Sequence, residues 1–466
     1  MTSRPTLVAA QEAANQATSR RRWFPWSIRS AADRAFVAIP PLIWLIFAWH
    51  RRWITDDGLI AARTVREILA GNGPVFNPGE RVEANTSVLW TWLIAGLSWI
   101  SRADVYKVMM YTGLLLAPLG LLFALLGARK LHRRNAPGRR LIPLGAMVVA
   151  ALPPFWDFAT SGLEESLIFC WLGLCWWLLC GIDPDPDPES GSAGRRAYTT
   201  AFVLGLGWLV RPDMALGTIC FLVGFWFALR PTLRRAVALS ATAAALPLAY
   251  ELFRMGYYGL LAPNTALVKE ASAVHFSLGL AYFGNYAAPY YLWVPALLLL
   301  AAASVAVAWR RFDRRDIAVV AAVVASALLM LLYVVEIGGD FMHARMLLPG
   351  TFLLLCPISA LPLPPRTALR SFALTSATSA GVLVWALLCA TFWRLPQTPN
   401  YIPSSGITNE RAFWSERVGA ANPVDATPYV QAILGNDGDP RSIAWLLLNV
   451  GTPSHPVFLL SSPATH

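Results

Sequence analysis

"TSVLWTWLIAGLSWIS", residues 86–101, decides the topology of this chain. The stretch is apolar enough to pass for a membrane span, yet it carries Trp90, Trp92 and Trp99. Helices rich in tryptophan suit the membrane–water interface, where the indole ring is buried and its N–H stays near water. Counted as a span, it brings the total to twelve and places the basic connector "ARKLHRRNAPGRR" (128–140) outside the cell. Laid along the surface, it leaves eleven spans and returns the basic connectors to the cytoplasmic side, where Lys and Arg are retained.

The surrounding composition agrees with a membrane protein. Of 466 residues, 56% are hydrophobic and 14% charged, and the mean hydropathy is +0.49. A soluble domain carries about a quarter charged residues. Continuous apolar runs of about 15 to 22 residues recur along the chain, long enough for helices to cross roughly 30 Å of hydrocarbon. Continuous rather than alternating runs exclude a barrel. The expected fold is all-α, with spans near 35–50, 105–127, 141–156, 166–181, 197–210, 214–229, 236–252, 289–308, 317–335, 347–361 and 372–393. In that arrangement the N-terminus and five short connectors hold 23 of the 38 Lys and Arg, while 19 of the 27 acidic residues lie outside.

Three parts follow from this reading. Residues 1–34 form a cytoplasmic tail, with the Arg-rich start leading into a signal anchor. Residues 35–393 form the membrane body, with 51–104 as its first external loop, and 394–466 form a short external segment. The +11 charge is spread through short connectors, so nucleic acid is not an expected partner. All six cysteines lie in apolar runs, which excludes a disulfide framework. Cys170, Cys175 and Cys180 read as ordinary helix-surface residues. "DPDPDPES" (183–190) reads as a Pro-broken solvated loop rather than an acidic metal tract. No internal repeat is evident, which argues against a transporter built from inverted halves.

With eleven spans, the unusual polar stretches all fall on the external face. The first contains "ITDDGLIAAR" (54–63), and it continues to Ser87. Ala61, Ala62, Val65, Ile68 and Leu69 share one face of a helix that lies on the surface, with Arg63, Arg66 and Glu67 on the other. Gly71-Asn72-Gly73-Pro74 stops it. Asp56 and Asp57 open the helix. A cap needs one carboxylate, so one is expected to cap while its neighbour faces a cavity. Arg211, Lys269 and Arg345 sit by span ends on the same face, as donors suited to a phosphate. Glu83, Asn85, Glu164, Asp213, Tyr257, Tyr258, Asn264, Asp340 and His343 complete the candidate substrate-binding set. Asp340 and His343, with a further carboxylate, form a candidate site for a divalent cation. No cofactor is otherwise implied.

The ordered set "DDGLIAARTVREILAGNGPVFNPGERVEANTSVLW", "TSGLEES", "RPD", "YYG…APNTALVK" and "GGDFMHARMLLP" resembles the GT-C glycosyltransferases over residues 35–360. Within them it is most similar to the AftB-type terminal arabinofuranosyltransferases of the mycobacterial cell wall. That resemblance implies a GT-C fold in the plasma membrane with its active site outside the cell. It implies decaprenyl-phosphoryl-arabinofuranose as donor and cell-wall arabinan as acceptor, extended by terminal β-(1→2)-linked arabinofuranose. It also implies a catalytic carboxylate in the first external loop, at Asp56 or Asp57, with the lean to Asp56. The AftB-type proteins carry a larger external C-terminal domain than the segment after residue 393 here. The alternatives are another polyprenyl-phosphate-dependent sugar transferase, for mannose or a further sugar, and a lipid-linked sugar transporter or flippase. A transporter needs ionisable residues at mid-span, whereas the polar residues here gather at one face.

The charge pattern makes the topology testable. Asn135→Cys and Phe312→Cys are expected to be shielded from an impermeant thiol reagent in intact cells, and Glu80→Cys to be labelled. Labelling at 135 restores the twelve-span count.

Overall fold

In the computed structural model, the described residues are 31–135, 139–182, 191–261, 274–308, 312–396 and 405–435. The expected tail over 1–30, the "DPDPDPES" loop and the last residues, 436–466, lie outside them. Among the described residues the fold is almost wholly helical, with one short antiparallel pairing of Leu141–Ile142 against Leu361–Pro362. Five helices are long and apolar enough to cross a membrane: Val105–Asn135, Pro212–Leu229, Leu233–Tyr258, Arg314–Glu336 and Leu369–Thr391. Shorter apolar helices include Ala35–His50, Glu165–Cys180 and Trp293–Ala308. Phe227, Leu252, Leu297, Leu332 and Leu387 point large apolar side chains outward, as a lipid-facing surface requires. The chain is a multi-pass membrane protein.

Three expected spans differ from the continuous helices of the sequence reading; in 347–361 the α-helix is only Leu348–Leu355, followed by a 3-10 turn at Cys356–Ile358 and the strand Leu361–Pro362. Residues 141–156 form a two-residue strand, the helix Leu144–Ala151 and, after Leu152, the short helix Pro153–Asp157. Proline removes a backbone donor and clashes with the preceding turn, so the helix breaks there. An eight-residue helix is about 12 Å long, well short of the hydrocarbon core. Residues 197–210 are likewise divided, into Gly191–Gly205 and Gly207–Val210. Cys170, Cys175 and Cys180 are buried rather than on the helix surface.

The helix Val88–Ser101 buries Trp90, Ile94 and Ala95 and turns Trp92, Leu97, Trp99 and Ile100 outward. The Trp90 indole donates to the Gly162 carbonyl at 2.9 Å.

The body is organised by close helix contact. A Cβ on Gly173 would meet the Gly120 carbonyl at 2.2 Å, and one on Gly120 would meet the Phe169 carbonyl at 2.4 Å. Small residues of this kind let membrane helices approach backbone to backbone. Here they fix Glu165–Cys180 against Val105–Asn135. Next to that contact, Trp44, Phe155, Phe169 and Phe352 form a cluster with ring centroids 5.2 to 6.4 Å apart. Each ring comes from a different segment, so the cluster locks together four elements that end near one another.

The described part of the C-terminal segment folds onto the body. It forms the helices Glu410–Arg417 and Thr427–Gly435. Its Thr408 exchanges backbone hydrogen bonds with Phe341 and His343 at 2.8 and 3.0 Å. Further on, the Pro423 carbonyl accepts from the Ile54 N–H at 2.8 Å. One short segment therefore holds both the chain entering Asp56 and the chain following Asp340.

Candidate functional site

Asp56 and Asp57 begin the helix Asp56–Leu69, and its first turn explains their freedom. Thr55 is the N-cap: its hydroxyl accepts from the Gly58 N–H at 3.1 Å. This corrects the expectation that one aspartate caps the helix. A threonine one residue earlier takes the cap, so both carboxylates are released for other partners. Asp56 accepts the N–H of Asp57, at 2.9 Å. Gly58 has no room for a side chain, since a Cβ there would meet the Ser161 carbonyl at 2.7 Å. The helix start is thereby pressed onto "TSGLEES", where the Thr55 N–H also donates to the Ser161 carbonyl at 2.8 Å.

The rest of the helix departs from the expected polar outer face. Arg63 and Glu67 are buried, not solvated. Arg63 donates to the Phe76 carbonyl and to Asn77, and Glu67 accepts from Asn72. The loop after Gly71 folds back over the helix and takes up both charges.

A dense charged cluster forms where the segments meet. Arg345 Nε donates to Glu165 Oε1 at 2.6 Å. Its other nitrogens lie 3.4 Å from Glu164, 3.5 Å from Asp340 and 3.9 Å from Asp57. Arg211 grips Asp213 in a two-point pair at 2.7 and 2.9 Å, with Glu165 and Glu164 at 3.4 and 3.5 Å. Glu164, Glu165, Arg211 and Arg345 are buried. Burial opposes the charged form of Arg345, but Glu165, Glu164, Asp340 and Asp57 outweigh it and hold its pKa well above the usual value. Glu165 is fully buried, and that burial raises its carboxyl pKa against the pull of Arg345. Asp57 is the opening into this cluster, with a third of its side chain exposed.

The expected cations are therefore placed where the sequence puts them but are not bare. Arg211 and Arg345 are already covered by carboxylates, which outnumber them. Lys269 and Asn264 lie outside the described residues.

The other candidates separate into two further places. Glu83 pairs with Arg254 at 2.8 Å and accepts from the Tyr250 hydroxyl at 2.8 Å. With Asn85, Thr64 and Tyr258 it lines a small open cavity, which none of the Arg345 partners borders. Tyr258 donates to the Pro74 carbonyl, while Tyr257 stacks on Phe253 and lies beneath Arg81. His343 is buried between Asn285, 2.6 Å from Nδ1, and Tyr290, 3.1 Å from Nε2. Burial lowers its pKa to about 4, so the ring is neutral. Both ring nitrogens are occupied, and His343 does not join Asp340 in a cation site. Among the described residues, no group of three His, Cys, Asp or Glu is arranged to hold a metal ion. Gly338 and Gly339 permit a close backbone approach: both have positive φ, and a Cβ on Gly339 would meet the Tyr282 ring at 2.3 Å.

Two acidic residues escaped the sequence reading. Glu165 is the anchor of Arg345, and Glu410 lies against Asp56. Asn409 caps the helix that Glu410 begins by accepting from the Ala412 N–H, a signal for the helix start but not for its docking on Asp56.

Fold and site together define a multi-pass membrane protein with a carboxylate-rich cluster built from segments far apart in sequence. No family model matches the chain. A terminal β-(1→2)-arabinofuranosyltransferase of Mycobacterium tuberculosis is 38% identical over 447 residues, covering 89% of this chain and 69% of that protein. The protein of the same name from Corynebacterium glutamicum is 38% identical over 394 residues, covering 78% of this chain and 56% of its own length. The crystal structure of ArnT from Cupriavidus metallidurans bound to undecaprenyl phosphate superposes with a TM-score of 0.48 at 15% identity, covering 91% of this chain and 77% of that one. A score at that level does not establish a shared architecture. The chain belongs to the terminal β-(1→2)-arabinofuranosyltransferase family, and is a membrane glycosyltransferase.

The Arg345–Glu165 pair has a measurable consequence. Arg345→Ala leaves buried Glu165 with only its longer contact to Arg211, and loss of one partner of a buried pair costs up to about 3–5 kcal/mol. Thermal unfolding in detergent is expected to show that loss, and Glu165→Gln added to Arg345→Ala is expected to recover much of it. An unchanged melting temperature in Arg345→Ala contradicts the anchoring role.

Proposed function

We propose that the protein transfers D-arabinofuranose from a polyprenyl-phosphoryl donor, of the decaprenyl-phosphoryl-arabinofuranose type, to the non-reducing ends of cell-wall arabinan, forming a terminal β-(1→2) linkage. The observation that carries this reading is the 38% identity to enzymes of that name over most of the chain. The site is placed on the external side of the plasma membrane, with eleven crossings and residues 86–101 lying along the surface. The distribution of Lys and Arg supports that placement.

Within this reading Asp56 meets the reacting centre. A glycosyl group leaving phosphate develops positive charge on its ring, and a carboxylate beside it stabilises that charge and takes the proton of the incoming hydroxyl. Asp57, held near Arg345, adds negative charge at the mouth of the site. The excess of carboxylates over arginines suits a cationic transition state. It also means that the donor phosphate reaches Arg345 from the side of its longer contacts, to Asp340 and Asp57. Lys269 supplies a second cation. A β-linked donor and a β product retain configuration, which requires either two successive displacements or entry and departure on one face. Glu83, Asn85 and Tyr258 around the open cavity offer the hydrogen-bonding groups that a sugar chain needs, and the acceptor is assigned there.

The test uses purified protein, polyprenyl-phosphoryl arabinofuranose and a synthetic arabinan acceptor, with the product linkage read by NMR. The expected product is terminal β-(1→2)-arabinofuranose. Transfer of mannose in preference to arabinofuranose overturns the substrate assignment. Asp56→Asn is expected to lower turnover by at least about 10²-fold, with a folded protein, and Asp57→Asn by less. Substantial turnover in both variants moves the catalytic group to Asp213, Asp340 or Glu164.

A further inference from the structure

Glu410 is buried, with 5% of its surface exposed. Neither of its carboxyl oxygens meets a hydrogen-bond donor among the described residues. The group within hydrogen-bond reach is the carboxylate of Asp56. Two carboxylates in contact, with no donor between them, repel unless they share a proton. Their surroundings decide which one carries it. Asp56 already accepts the Asp57 N–H, which orients one of its oxygens as an acceptor. Glu410 accepts nothing and is the more deeply buried of the two. Asp57 on the same helix as Asp56 adds negative charge and Arg345 opposes it, while Tyr429, whose hydroxyl donates to the Ile54 carbonyl, lies between the charges of Glu410 and Arg411. Burial, and then the charges of Asp56 and Asp57, push the Glu410 carboxyl well above the usual carboxylate range.

We propose that Glu410 is a positioning residue for the transfer reaction: as a neutral acid it donates its proton to the Asp56 carboxylate. The donated hydrogen bond fixes one oxygen of Asp56 and leaves the pair with a single negative charge. Asp56 is thereby held as an oriented anion in a site where a free carboxylate would be pushed apart by its acidic neighbours. The docking of the C-terminal segment is what delivers the proton. Thr408, two residues before Glu410, is bonded to Phe341 and His343, and Arg411 Nε donates to the Arg51 carbonyl at 2.8 Å. The segment therefore completes the site rather than trailing from it.

This proposal rests on the reading of Asp56 as the carboxylate at the reacting centre, so its test has two readouts. The first needs no substrate. The infrared difference spectrum of wild type against Glu410→Gln at neutral pH is expected to contain the carbonyl stretch of one protonated carboxyl. Its absence overturns the shared proton. Presence of the band in a preparation that transfers no sugar contradicts the transferase reading and leaves the pair standing. The second readout is the pH profile of turnover. Glu410→Gln keeps an N–H donor for Asp56 and is expected to stay within about threefold of wild type at neutral pH. It is also expected to lose the alkaline fall that wild type shows when the pair gives up its last proton. Glu410→Ala keeps no donor, and turnover is expected to drop roughly ten- to hundredfold. A Gln variant as inactive as the Ala variant, or one whose alkaline limb coincides with that of wild type, overturns the proposal.

Discussion

The buried pair between Arg345 and Glu165, 2.6 Å apart, is the contact on which the site depends. Glu165 begins a helix fixed backbone to backbone by Gly120 and Gly173, so its position is set by the body of the protein. Arg345 lies in the irregular stretch after Gly338 and Gly339, which has little regular structure of its own. The ion pair transfers the rigidity of the helix to that stretch. A pair of this kind contributes little net stability, because desolvating two charges offsets most of their attraction. Its effect is on position. Once Arg345 is fixed, Asp340 and Asp57 gather around its remaining nitrogens, and Arg211 closes the same group from the other side through Glu164 and Asp213.

The resulting balance of charge sets the chemistry. Two arginines face a larger number of carboxyl groups, and burial raises the Glu165 carboxyl pKa against the pull of Arg345. Such a site favours positive charge at its mouth, where Asp57 is most open. That is the polarity a glycosyl group acquires as its phosphate departs. In the same surplus of acid, the proposed proton on Glu410 leaves the Glu410–Asp56 pair with a single negative charge.

Much of this was legible in the residues. "DDGLIAAR", "TSGLEES", "RPD" and "GGDFMHARMLLP" were expected on one face, and the cluster does join Asp57, Glu164, Asp213 and Asp340 with both arginines. Periodicity placed a helix from Gly58 to Ala70 with its stop at Gly71, and the helix spans Asp56–Leu69. What failed were the contacts that depend on chain far away. Arg63 and Glu67 follow a solvated pattern, yet the returning loop at Asn72–Asn77 buries them. Glu83, Asn85 and Tyr258 belong to the same external segments as the cluster but are drawn to a separate cavity by Arg254 and Tyr250. Thr55 takes the cap from the aspartates by a choice between adjacent side chains that sequence spacing leaves open. The docking of Glu410 depends on backbone pairing with residues near 341, more than sixty positions earlier, and no local pattern encodes that.

The central claim is that the donor sugar is bound at the Asp56–Arg345 cluster. A polyprenyl-phosphoryl arabinofuranose carrying a photoreactive group on the sugar tests it directly. Irradiation of the purified protein followed by peptide mapping is expected to place the label within residues 54–63 and 338–347. Label confined to the cavity around Glu83 and Tyr258 contradicts the account.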